Sequence, residues 1–219
     1  MRIVNFAEQN TVVNRYMQEL RDNNLQSDRA RFRRNLERIG EVMAYEISKT
    51  LDYTVKEVTT PLGVASVSTA DNDIVLGTIF RAGLPFHQGF LNVFDRADNA
   101  FVSAYRYYKD KECREVGIHI EYMAAPDLTG KTLILADPML ATGGSMELGY
   151  HAFETHGRPA HVHLCCVIAS QAGVDYIREH FKDTDVTLWC AAIDPALNEH
   201  MYIVPGLGDA GDLAYGGKL

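Results

Sequence analysis

Residues 131–146, KTLILADPMLATGGSM, limit the possible folds more tightly than any other stretch of the chain. Thr132 to Ala136 is an apolar run the length of a buried strand. Asp137 stands at its end. A turn of small and hydroxyl residues follows, Ala141, Thr142, Gly143, Gly144 and Ser145, and the text from Met146 to Phe153 then predicts a helix. In an open α/β sheet, ligands bind beyond the carboxyl ends of strands, where the next helix begins. A helix N-terminus presents unpaired N–H groups and positive partial charge. Two glycines let the backbone approach an anion closely, and Thr142 and Ser145 add hydroxyl donors. The turn therefore suits a phosphate, and Asp137 suits a hydroxyl or a metal-bound sugar. It lacks the Gly-Lys-Ser/Thr of a Walker A loop and is not GxGxxG. An ordinary turn capped by Ser or Thr would use the same residues.

The chain around this unit has 219 residues and is 47% hydrophobic, enough for one sizeable domain with its own core. No apolar run approaches the roughly 20 residues that span a bilayer. The first ten residues lack the apolar stretch of a signal peptide. Four cysteines without metal-ligand spacing argue neither for a disulfide scaffold nor for zinc, with Cys165 and Cys166 reading as reduced core residues. These features point to the cytoplasm. The net charge of -8 argues against general affinity for nucleic acid, though local arginines can still hold a small anion.

Other segments follow the same alternation of strands and helices, which implies a parallel sheet. Residues 11–22 predict a short helix. Ser27 is placed to cap a longer one over 28–51, with Phe32, Leu36, Ile39, Met43, Ile47 and Leu51 at helical spacing. Arg29, Arg31, Arg33, Arg34 and Arg38 crowd its first half, a poor placement for the helix dipole. They form either a solvated basic face or a subunit or effector contact. Alternation about Pro61-Leu62-Gly63 predicts a hairpin over 53–69. Ile74–Phe80, 101–108, 160–169 and 186–193 predict further strands, and 171–181 an amphipathic helix. Arg81, Ala82 and Gly83 close the strand at 74–80, with a helix starting near Leu84. Residues 107–123 read as a polar β-arm carrying Lys109, Lys111 and Arg114, suited to closing over a substrate or to pairing between subunits. His161 and His163 alternate onto one face, as a metal pair would, but no third ligand stands near in sequence. After Tyr202–Val204, an extended piece, the residues around Pro205, Gly206, Gly208 and Gly211 predict an irregular loop carrying Asp209 and Asp212.

The run LADPMLATGGSM closely resembles the phosphoribosyl-diphosphate (PRPP) motif of the uracil phosphoribosyltransferases. The tail AAIDPALNEHMYIVPGLGDAGD resembles that family's uracil-binding segment, and FRAGL at 80–84 and Tyr105-Arg106 are shorter matches in family order. The resemblance implies a Rossmann-like type I phosphoribosyltransferase fold in a single domain. A mostly parallel central sheet flanked by helices would occupy about residues 70–195. Residues 1–69 and 196–219 would be accessory, with a β-arm and a small hood formed by the N- and C-terminal segments. It implies transfer of phosphoribose from PRPP to uracil, with Arg81, Arg106, Asp137 and Asp209 as the catalytic group. PRPP would be held by Arg81, Arg106, Asp209 and residues 137–145 (Asp137, Pro138, Met139, Leu140, Ala141, Thr142, Gly143, Gly144, Ser145). Uracil would be read by Ile203, Gly208, Asp209 and Ala210. It further implies Mg2+ bound through substrate and water, with Asp209 on one of those waters, a homo-oligomer, and GTP as an effector, for which the basic helix is the candidate site. The chain departs from the family pattern at Pro85–Gln88, at 107–115 and at Leu213 and Tyr215. An RNA-binding pyrimidine regulator of related fold, or a transferase for another nucleobase, are the alternatives.

Overall fold

In a computed structural model of the chain, residues 1–108 and 116–217 are described, with side chains for all of these except 104–108 and 116–120. A first strand, β1 (Arg2–Asn5), leads through one 3-10 turn into α1 (Val12–Arg21) and α2 (Arg29–Ser48). A hairpin of β2 (Tyr53–Thr60) and β3 (Gly63–Ala70) follows. Next come β4 (Ile74–Phe80), α3 (Gly83–Leu91), β5 (Asp98–Tyr108) and β6 (Val116–Ala124). The second half runs β7 (Thr132–Ala136), β8 (Met139–Leu140), α4 (Gly144–Glu154), β9 (His161–Ser170), α5 (Gln171–His180) and β10 (Val186–Asp194). Short strands β11 (Ala196–Leu197) and β12 (Ile203–Val204) precede the last helix, α6 (Ala210–Tyr215).

The central sheet has eight strands in the order β1-β10-β9-β7-β4-β5-β6, with β8 beside β9. All pairings in it are parallel except β5 with β6. β7 is buried along its whole length and β9 and β10 almost so, as expected of parallel strands covered on both faces. One apolar layer joins α1, α2, α3 and the C-terminal segment to one face of the sheet. The other layer packs α4 and α5 against the opposite face. From β4 the chain winds outward to β5 and then returns to β7 on β4's other side. The order therefore reverses between β4 and β7, and in such sheets that point opens a ligand crevice.

Several local expectations change. Asp28, not Ser27, caps α2, accepting from Arg31 N at 3.0 Å. Phe32, Leu36, Ile39, Met43 and Ile47 are fully buried. At about 2 kcal/mol for each such side chain, this stripe outweighs the few tenths to 1 kcal/mol that an arginine near a helix start costs. Those arginines are largely engaged within the chain: Arg31 on Glu19, Arg34 on Glu37, Arg33 on the carbonyl of Ala214. Residues 2–5, which sequence left without an element, join the edge of the sheet along β10. Residues 109–115, with Lys109, Lys111, Cys113 and Arg114 of the expected arm, lie outside the described residues. The hairpin β2–β3 forms as expected, but nearly every position on both of its faces is exposed.

His161 and His163 share a face, with ring centroids 4.4 Å apart. Each is engaged elsewhere. His163 Nδ1 accepts from Trp189 Nε1 at 3.0 Å, and His161 Nδ1 lies 2.7 Å from Asp185 Oδ2. Burial, with His161 beside it, lowers the His163 pKa to about 3. Among the described residues, no three His, Cys, Asp or Glu side chains are placed to hold a metal ion.

Candidate active site

A cavity of about 960 Å3 opens at the carboxyl ends of β4 and β7. Its wall is built from four short segments distant in sequence. The β4–α3 turn supplies Phe80, Arg81 and Ala82, the β7–α4 turn supplies Asp137, Met139, Ala141 and Ser145, and the C-terminal segment supplies His200 to Ile203 and Gly208 to Gly211. Ser103 of β5 completes it.

Arg81 sits where β4 ends. Its guanidinium reaches Asp212 Oδ1 at 2.9 Å and the carbonyl of Gly216 at 3.4 Å, so α6 holds it over the cavity. Asp137 follows the buried end of β7, and its Oδ1 accepts from Met139 N at 3.2 Å, closing a short Asx turn. Gly143 then takes the left-handed conformation, φ 91°, and α4 begins with no side-chain cap. A hydroxyl cap of Thr or Ser is thus corrected: glycine makes the turn, and the first N–H groups of α4 are left for another partner. Leu140, expected among the binding residues, is 1% exposed and belongs to the core. Pro138 faces β9 through its carbonyl, which accepts from Val167 N and Ile168 N.

The C-terminal segment is less irregular than its composition suggests. Asp209 accepts from Asp212 N at 3.0 Å and caps α6, so Asp212 lies in a helix. Gly206 and Gly208 have φ of 65° and 90°, and a Cβ on Gly206 would stand 2.0 Å from the carbonyl of Ile203. A side chain there is excluded. The loop is anchored by residues that local sequence did not single out. Asp194 Oδ2 accepts from Gly206 N at 2.7 Å, and Asp194 also takes a two-pronged contact from Arg21 at 2.7 and 2.8 Å. Arg21 reaches the carbonyl of Gly206 as well. Burial works against the Asp194 carboxylate, but Arg21 and the Gly206 N–H outweigh it and hold the pKa below the usual range. Gln26 donates to the carbonyl of Leu207.

The cavity therefore unites Arg81, Asp137, Met139, Ala141, Ser145, Ile203, Gly208, Asp209 and Ala210. Pro138 and Leu140 support the turn from behind that wall, and Thr142, Gly143 and Gly144 carry it into the start of α4. Arg106 lies on β5, its backbone paired with Ile118, and its side chain is outside the described residues. Sequence missed the rim residues His200, Met201 and Tyr202. Met201 is a non-glycine residue at φ 61°, in a turn that Asn198 closes by accepting from His200 N and Tyr202 N. The one signal for it was Asn198 itself, a residue that favours such turns.

A family model described as uracil phosphoribosyltransferase matches residues 7–217. A uracil phosphoribosyltransferase of Porphyromonas gingivalis is 59% identical over 219 residues, covering 100% of both chains. One from Methanothermobacter thermautotrophicus is 42% identical over 191 residues, covering 86% of this chain and 85% of the other. A solved structure of an Aquifex aeolicus protein, 32% identical, matches with a TM-score of 0.85 over 98% of each chain. With a family model over residues 7–217 and a relative 59% identical over the full length, the chain belongs to the uracil phosphoribosyltransferase family.

Proposed function

We propose that the cavity binds PRPP and uracil and transfers the phosphoribosyl group between them, giving UMP and diphosphate. The observation that carries this reading is the convergence of an arginine, two aspartates, an uncapped helix start and a glycine-rich backbone on one crevice, at the switch point of the sheet. The turn at Thr142 to Ser145 would take the 5-phosphate on the N–H groups of α4. Asp137 would accept from the ribose hydroxyls as the ring gains positive charge. Arg81 and Arg106 would offset the charge that grows on the leaving diphosphate, a role that suits guanidinium forks. Ile203 and the backbone of Gly208, Asp209 and Ala210 would read the edge of uracil. The C–O bond to the diphosphate breaks as uracil N1 bonds the anomeric carbon, and the N1 proton leaves to water or to the diphosphate. Positioning and charge stabilisation then carry the rate.

The donor set fits Mg2+ that enters with PRPP, held mainly by substrate oxygens and water with Asp209 as the protein's contribution. The bound ion would screen the diphosphate charge. Buried free thiols at Cys165, Cys166 and Cys190 fit a reducing compartment such as the cytoplasm.

A homo-oligomer is supported by the hairpin. Val55 is 70% and Leu62 100% exposed, and a lone two-stranded hairpin is marginal in water, so a second copy would cover it. Light scattering on the wild type and on Val55→Glu/Val64→Glu should show loss of the larger species in the double variant; a monomeric wild type would refute this. GTP, as an effector at the arginines of α2, would have to displace the contacts they make within the chain. Rates at low PRPP with and without GTP test that.

The deciding assay follows diphosphate release from PRPP with uracil, hypoxanthine, xanthine or adenine. Uracil should be the substrate; turnover with a purine and none with uracil would overturn the reading. Asp194→Ala should raise the KM for uracil about tenfold, because the base loop loses its anchor, with a smaller change in the KM for PRPP. Steady-state kinetics varying each substrate in turn distinguish the two.

A further inference from the structure

The turn that begins α4 is backed by a cluster with no part in the reading above. Gly143 is pressed from outside by Tyr176 of α5: a Cβ on Gly143 would stand 2.4 Å from Tyr176 Cδ1 and 2.9 Å from Cγ. The start of the same helix, with its cap residue Ser170, meets the turn at two further points. Ser170 Oγ donates to the carbonyl of Ala141 at 2.5 Å. A Cβ on Gly173 would stand 2.6 Å from that carbonyl oxygen. The ring of Tyr176 stacks on His180, with centroids 3.8 Å apart and planes at 19°.

Glu147 lies in the first turn of α4. A carboxylate there is attracted by the same positive helix end that an incoming phosphate would use, and it repels that phosphate. Both of its oxygens are engaged on the far side. Tyr176 Oη donates to Oε2, and His180 Nδ1 lies 2.7 Å from Oε1. The hydrogen bond to Glu147 raises the Tyr176 pKa to about 12, so the phenol remains a donor throughout the working pH range.

We propose that Tyr176 is a positioning residue for the phosphate turn, its ring bracing Gly143 in the left-handed conformation and its hydroxyl, with His180, holding Glu147 away from the anion. This rests on the reading of residues 142–145 as the seat of the 5-phosphate. The selectivity follows from place: Tyr176 touches the phosphate turn, whereas the base loop of residues 203–210 is anchored separately through Asp194 and Arg21.

Steady-state kinetics on Tyr176→Ala, Tyr176→Phe, Glu147→Gln and Ser145→Ala test the proposal. Tyr176→Ala should raise the KM for PRPP about tenfold while the KM for uracil stays within about twofold. Tyr176→Phe keeps the ring and should recover only part of that loss, Glu147→Gln should leave the KM for PRPP at or below its starting value, and a Tyr176→Phe enzyme with the wild-type KM for PRPP would overturn the hydroxyl's role. If Tyr176→Ala fails to fold, Tyr176→Leu carries the same comparison. Equal rises in both KM values, or no change, overturn the role of Tyr176 if Ser145→Ala still raises the KM for PRPP alone. If Ser145→Ala leaves that KM unchanged, the seat of the 5-phosphate falls, and the role of Tyr176 with it.

Discussion

Arg81→Ala is expected to lower kcat for diphosphate release by roughly 100- to 1000-fold, the range seen when one donor to a developing charge is removed. The loss should fall on kcat and kcat/KM together, because the charge grows mainly in the transition state. Stability should barely change. Arg81 and Asp212 are each more than a third exposed in their pairing, and such pairs contribute at most about 1 kcal/mol. Arg81→Lys should recover only a small part of the rate, since the ammonium keeps the charge but not the fork. Diphosphate release and a thermal melt on the same preparations make the comparison. An Arg81→Ala protein with near wild-type kcat would remove Arg81 from the site. Arg106→Ala is expected to follow the same pattern, with a large loss of turnover and little loss of stability.

Glu19→Ala should have the opposite profile, a large loss of stability with kcat per folded molecule little changed. Glu19 is 5% exposed where α1 meets α2, and it accepts from Arg31 at 2.7 and 2.8 Å, from Arg15 at 3.0 Å and from buried Asn35 at 2.9 Å. Its loss leaves buried Asn35 without this partner, while Arg31 and Arg15 remain in reach of water, which costs about 2 kcal/mol, or a fall in Tm of roughly 6 °C for a chain of this size. The same cluster sets an acid limit. The Arg31 and Asn35 hydrogen bonds lower the Glu19 pKa from 4.5 to about 2, against burial that raises it. A carboxyl whose pKa is lower folded than unfolded stabilises the fold above the unfolded value. That stability is lost as pH falls from about 4.5 through about 2. Urea unfolding at pH 7, 4 and 2.5 should show the decline, and Glu19→Gln should lack this part of it. An unchanged pH dependence in Glu19→Gln would show that the cluster does not set the limit.

Much of the site was legible because strand ends announce themselves. Apolar runs stop at Phe80 and Ala136, and the next residues, Arg81 and Asp137, fall at the mouth of the crevice for that reason alone. Glycines at 143, 206 and 208 signalled turns, and each has positive φ. Within the turn at 138–145, however, sequence did not separate residues that line the cavity from those that support it. Leu140 turns into the core because the two-residue strand β8 pairs with β9. The cap of α2 shifted by one residue because Ser and Asp are near-equal caps and stand side by side.

Local pattern determined most of the longer strands and helices and where the glycine turn at 141–145 would lie, since periodicity and glycine positions act within a few residues, but it did not show β1 or α6. Tertiary structure alone decided which side chains meet. Arg21 and Asp194 are 173 positions apart, yet together they anchor the loop that shapes one wall of the cavity. Tyr176 braces Gly143 from a separate helix. Such contacts depend on how helices seat on the sheet, and that is set by packing of the two apolar layers rather than by any local signal.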